Sequence, residues 1–252
     1  MRYFLRLAYN GSPFHGWQRQ PNASSVQETI EESLSTILRT PTPITGAGRT
    51  DTGVHAACMY AHFDTLSPLA DPEATARALN RMCGRDIAIR EIIPVHSEAH
   101  TRFDATMRTY KYFVLFSKSP FFRNMSWLSP SGLDIKRMNE AAEILTRTSD
   151  FTSFAKLHSD AKTNICKVSE ALWTPLEGFP GVVFTISADR FLRNMVRAVV
   201  GTLVDVGRGK LSLEEFAAVI EKKDRCAAGT SMPPEALFLW DIRYPYINPQ
   251  NP

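Results

Sequence analysis

Residues 46–55 read GAGRTDTGVH, and they set one carboxylate, Asp51, in a short loop between three glycines and a cation. Gly46, Gly48 and Gly53 permit backbone angles that other residues avoid. Arg49 carries a permanent charge on a planar fork of donors, and Thr50 and Thr52 can hydrogen-bond locally. The same residue types fill ordinary Asx-type turns between strands. Taken alone, the stretch is either such a turn or an active-site loop built around Asp51, and its surroundings decide which.

Working outward, residues 3–9 (YFLRLAY) alternate across two faces as a strand does. A helix is expected over 26–38 with Ser25 as its N-cap. After the loop come a strand near 59–63, a helix over 72–82 and a strand candidate over 86–95. The second half has a similar order, which suggests an internal duplication. It offers a strand at 109–116, a helix over 134–146, strand candidates at 164–173 and 181–188, and a helix over 191–206. A last helix over 213–223 opens with a capping box, Ser212 with Glu215, and the Gly/Pro-rich residues 229–234 lead into a closing strand, LFLWDIRY. The expected fold is α/β (α+β): two similar subdomains, residues 1–104 and 105–252, whose antiparallel-rich mixed sheets join side by side around a central cleft.

The chain has 252 residues, 44% of them hydrophobic, enough for a real core. No segment approaches the ~20 apolar residues that cross a bilayer, and Arg6 interrupts the place where a signal peptide would be apolar. The expectation is a cytoplasmic protein with no membrane partner. Sequons at Asn10, Asn22 and Asn124 then carry no meaning. Four cysteines without a C-x-x-C pair and six scattered histidines predict no metal site. A net charge of +3 is too small to establish a polyanionic partner by itself. Its distribution says more: Arg77, Arg81 and Arg85 recur at four-residue spacing on one helix, and Arg190, Arg193 and Arg197 at three and four on another. The second helix also carries Leu192, Met195, Val196, Val199, Val200 and Leu203, so its arginines are expected to flank an apolar stripe at a cleft.

The GRTD loop does not stand alone. YNGSPFHGWQRQP (9–21), SVQETIEESL (25–34), RTYKYFV (108–114), DFTSFAK (150–156), FLRNMVRAVVGTL (191–203) and LFLWDIRYP (237–245) accompany it in order. Together they resemble the motifs of the TruA family of pseudouridine synthases, which modify tRNA. The resemblance implies the pseudouridine synthase fold and a reaction that breaks the N-glycosidic bond of a uridine, turns the uracil and rejoins it through carbon. Such chemistry needs a carboxylate, a grip on the detached base and exclusion of water, with no metal and no cofactor.

Residue by residue, Asp51 matches the family's catalytic aspartate and is assigned as nucleophile; whether it attacks the ring, attacks the sugar or removes a sugar proton stays open. Arg197 matches the arginine that pairs with that aspartate, the alternative being a groove arginine on phosphate. Tyr110 matches the tyrosine that stacks on the target base. Tyr112 shares its strand face by the period of two, and only the resemblance chooses between them. Arg49 matches the loop arginine that helps hold a nucleotide displaced from its stack. His15, Trp17, Gln18, Arg102, Arg108 and Arg193 are expected to grip RNA. The chain departs from the pattern at Cys166, where a basic residue is common and Lys167 stands beside it, and at Ala236, where glycine is common. The resemblance further implies uridines of the anticodon stem-loop, typically tRNA positions 38 to 40, as targets, and a homodimer whose subunits share the RNA cleft. Two rivals remain: an RNA-binding protein without catalysis, and a glycosidase, which usually enlists a second carboxyl group.

Overall fold

A computed structural model describes residues 1–130, 132–156 and 162–247, which include every candidate site residue named above. In chain order the elements are β1 (Arg2–Tyr9), α1 (Val26–Leu38), β2 (Thr45–Gly46), β3 (His55–Asp64), α2 (Pro72–Met82), β4 (Ile87–Val95), β5 (Met107–Leu115), β6 (Trp127–Leu128), α3 (Ile135–Thr146), β7 (Val168–Pro175), β8 (Gly181–Ala188), α4 (Met195–Gly207), α5 (Leu213–Glu221) and β9 (Leu237–Arg243). The fold is mixed α/β, and most strand pairs are antiparallel. The chain forms two compact units, one from residues 1–106 together with the chain from Phe238 onward, the other from residues 107–237.

In the first unit β1 lies between β3 and β4, antiparallel to both. Its alternation puts Tyr3, Leu5, Leu7 and Tyr9 on one buried face, while Phe4 on the other packs at 5.2 Å against the Tyr244 ring. Helix α1 begins where expected because its first amides find acceptors: Glu28 N–H in Ser25 Oγ, Val26 N–H in Gly16 O and Gln27 N–H in Trp17 O. The helix start thereby fastens the loop that precedes it. The chain's end returns to this unit, where β9 runs parallel to β3, pairing His55 with Phe238 and Ala56 with Leu239.

In the second unit β8 lies between β5 and β7, again antiparallel. Both units use one device to seat a helix on the sheet. Asn80 of α2 bonds the N–H and the C=O of Ile89 in β4, at 2.7 and 2.8 Å. Asn139 of α3 does the same to Trp173 in β7, at 2.7 and 3.0 Å. The similarity of order does not extend to connection, since β7 and β8 follow each other as a hairpin while β3 and β4 are separated by α2. Helix α4 is apolar around most of its surface, and Ala198, Val199, Val200 and Leu203 are fully buried.

Two expected arginine ridges are corrected. Helix α4 starts at Met195 rather than at residue 191, because Asn194 adopts a left-handed conformation (φ 64°) that a right-handed helix cannot contain. Arg190 and Arg193 therefore precede the helix, and their spacing to Arg197 defines no common face. Likewise α2 ends at Met82, so Arg85, beyond Gly84 at φ 74°, lies off the helix that carries Arg77 and Arg81.

Candidate active site

The Asp51 loop grows out of a short strand. Residues Thr45 and Gly46 pair with His62 and Ala61 of β3, and Ala47 N–H bonds Tyr60 O. The chain then turns. Thr50 is buried, its Oγ1 2.8 Å from the Tyr9 hydroxyl, and its carbonyl accepts the Trp17 N–H at 3.2 Å. On the far side Val54 N–H closes a tight turn onto Asp51 O at 3.1 Å, with Gly53 at φ 78°. Asp51 itself is half-buried at the crest, between two anchored flanks.

The loop after β1 serves as the mould. At Gly16, φ 92°, an added Cβ would lie 2.6 Å from Thr50 O and 3.3 Å from the Asp51 carbonyl carbon. At Gly11 it would lie 2.0 Å from Val54 O, and Gly11 N–H donates to His55 Nδ1. The Trp17 ring lies so close over Gly46 that a Cβ there would meet it at 2.5 Å. Backbone therefore packs on backbone at both ends of the Asp51 turn. Trp17 is only 3% exposed and meets the Tyr9 ring at a tilt, 6.1 Å between centroids, so it supports the loop, whereas His15, Gln18 and Arg49 stand exposed.

Arg102, also in this unit, is exposed, with its guanidinium 5.8 Å from the ring of Phe103, itself 75% exposed. The His100 ring bridges Phe103 to the buried His62, at 4.2 and 4.7 Å. Burial first, and then the charges of Arg2 and His100, lower the His62 imidazole to about 4.

The second unit carries the remaining candidates. Tyr110 on β5 is half-buried and meets the Phe191 ring edge-on at 5.0 Å. Tyr112, on the same strand face, is fully buried, and its hydroxyl donates to Pro233 O at 3.1 Å. Burial also raises its phenol well above the usual range. Depth thus separates two tyrosines that periodicity leaves equivalent.

Arg197 is the third residue of α4 and half-buried. A cation is disfavoured at a helix N-terminus by roughly 0.3–1 kcal/mol, so helix stability does not account for it. Its Nε–H donates to Met232 O at 2.5 Å, and Met232 N–H returns a bond to Arg197 O at 3.1 Å. Arg193 is exposed just before the helix, and Arg108 donates to Asp189 O at 3.0 Å. Cys166 is buried, its thiol pushed up to about 11 by burial, with Lys167 exposed beside it; Ala236 is buried as well. Among the described residues no three His, Cys, Asp or Glu side chains are placed to hold a metal ion, and no helix is long and apolar enough to cross a membrane.

Sequence reasoning missed Tyr9, Gly11 and Gly16 as supports of Asp51, and residues 225–233 as supports of Arg197. The glycines left a signal, since two of them flank the aromatic loop motif. The contacts of residues 225–233 left none, because the segment reads as a Gly/Pro-rich connection.

The model of the tRNA pseudouridine synthase family matches residues 7–104 and 141–245. The chain is 57% identical over 244 residues to tRNA pseudouridine synthase A of Parabacteroides distasonis, covering 97% of this chain and 96% of that protein. It is 56% identical to the protein of the same name from Bacteroides thetaiotaomicron (97% and 91% covered) and 38% identical to that of Bacillus subtilis (97% and 99%). Among solved structures, a 3-hydroxy-3-methylglutaryl-coenzyme A reductase from Streptococcus pneumoniae aligns with a TM-score of 0.20 at 11% identity over 90% of this chain and 60% of that one, too unlike to bear on the fold. The chain belongs to the TruA family of tRNA pseudouridine synthases, isomerases that convert uridine to pseudouridine.

Proposed function

We propose that this tRNA pseudouridine synthase acts on uridines of the anticodon stem-loop, at tRNA positions 38 to 40, with Asp51 as its nucleophile. The observation that carries the proposal is the presentation of Asp51: a half-buried carboxylate on a turn whose two flanks are moulded by Gly11 and Gly16. The bond from C1′ of the ribose to N1 of the base breaks, a bond from C1′ to C5 forms, the C5 proton leaves, and the freed N1 takes up a proton. Mass is unchanged. Ring attack, sugar attack and removal of a sugar proton all need the carboxylate ionised and held near the sugar.

Residues 1–104 give Asp51 and Arg49; residues 105–252 give Tyr110 and Arg197. Arg197 pairs with Asp51, the role that the family resemblance implies for it. Tyr110 stacks on the flipped uracil, its own ring steadied by Phe191. Arg49, exposed two residues before Asp51, holds the vacated position in the stem. His15, Gln18, Arg102, Arg108 and Arg193 grip the RNA backbone and position it without reading sequence, and Trp17 acts by holding the loop. A homodimer in the cytoplasm forms the full RNA cleft.

The test is to incubate the protein with unmodified tRNA and map the products. Isomers of unchanged mass at positions 38 to 40 support the proposal. Free uracil would assign a glycosidase, and isomers confined to other stems would overturn the assigned position.

A further inference from the structure

Arg197 cannot aim itself. Its Nε–H is committed to Met232 O, so the plane of the guanidinium follows the backbone of residue 232. Downstream, Pro233 and Pro234 stiffen the chain, and Pro233 O takes the Tyr112 hydroxyl. Upstream, residues 228–231 press against α4. Gly229 N–H donates to Thr202 Oγ1 at 2.9 Å, and Asn194 Nδ2 to Ser231 Oγ at 2.6 Å. Thr230 O occupies the place of a side chain at Gly201, where an added Cβ would lie 1.9 Å from it.

One side chain holds this loop from its other side. Arg225, half-buried, spreads its fork over three acceptors: Nη1 toward Gly229 O at 3.2 Å and Ala228 O at 3.4 Å, and Nη2 to Ser231 Oγ at 2.8 Å. Ser231 Oγ therefore sits between a donor from the start of α4 and a donor from Arg225, one residue before the backbone that holds Arg197. A charged donor strengthens such bonds, and lysine, a single point charge, cannot span them.

We propose that Arg225 is a positioning residue for the isomerisation, setting the aim of Arg197 through residues 228–232. The proposal rests on the pairing of Arg197 with Asp51 given above.

The test is a double-mutant cycle on Arg225 and Arg197, read as single-turnover rate at saturating tRNA beside tRNA affinity. Arg225→Ala should slow the step by about tenfold with affinity changed less than about twofold, and Arg225→Lys should not restore the rate. In an Arg197→Ala background the same change should slow it less than about twofold, because the group being aimed is gone. Ser231→Ala, a milder change if Arg225→Ala folds poorly, should slow the step in the same way. A parental rate in Arg225→Ala, with or without a lower melting temperature, overturns the proposal, and so does a full effect that persists without Arg197. If Arg197→Ala alone reacts at the parental rate, the pairing with Asp51 fails and the proposal falls with it; slow Arg197→Ala with fast Arg225→Ala sinks the positioning role alone.

Discussion

Replacing Gly16 by alanine should disable the Asp51 loop from a residue that takes no part in chemistry. The new Cβ would stand 2.6 Å from Thr50 O, while ordinary contact starts at 3.4 Å, so Thr50 and the Asp51 joined to it must retreat by about 0.8 Å. A misplacement of ~1 Å at a reacting group costs about a hundredfold in rate. The backbone adds its own cost: φ 92° disfavours a side chain by about 1–2 kcal/mol, lowering the melting temperature by roughly 2–8 °C for a chain of this length. Gly84→Ala is the matched control, with φ 74° and nothing within 4 Å of its added Cβ. Single-turnover rates at saturating tRNA should fall about thirtyfold to a hundredfold in Gly16→Ala and stay within about twofold in Gly84→Ala, while both melt earlier. A parental rate in Gly16→Ala, or an equal loss in Gly84→Ala, would refute the mould.

Tyr110→Phe should keep tRNA affinity and slow turnover, whereas Tyr112→Phe should slow it less and lose about 0.5–1.5 kcal/mol of stability with its bond to Pro233 O; the reverse pattern in kinetics and urea unfolding would exchange their roles. His62, 7% exposed, is lowered to about 4 in the folded protein while the unfolded chain protonates near 6.5. Stability contributed there is whole above pH 6.5 and drains as pH falls toward 4, by at most about 3 kcal/mol. Urea midpoints across that window should slope in the parental protein and flatten in His62→Gln, and equal slopes would contradict the assignment. Affinity for tRNA should fall steeply with salt as bound cations release counterions; a flat response in filter binding would remove the electrostatic grip.

Local patterns were legible where neighbours in sequence are neighbours in space. Helix α1 starts at its expected Ser25 cap, α2 spans the residues expected of it, and Ser212 with Glu215 forms the expected capping box. The start of α4 was not legible, because Leu192 continues the apolar period through a turn that Asn194 ends only by its backbone angle. The parallel pairing of β9 with β3 joins residues far apart in sequence, beyond any periodic signal. At the site, the GRTD loop stood out by composition and by likeness to a family, and RTYKY by that likeness alone. Of the supports, Gly16 left only the signal of a glycine in the aromatic loop motif, and Arg225 left none, since its acceptors on Gly229 and Ser231 carry no sequence signature.

The central claim is that Asp51 performs the isomerisation, and the most direct measurement is a single-turnover assay of Asp51→Asn against the parental enzyme on saturating, unmodified tRNA, with nucleosides separated afterwards. Asparagine keeps the size of the side chain and removes its charge. Pseudouridine should form with the parental enzyme and stay undetectable with Asp51→Asn, while both bind tRNA with similar affinity and unfold at similar temperatures. Pseudouridine formed by Asp51→Asn at more than a few per cent of the parental rate would contradict the account.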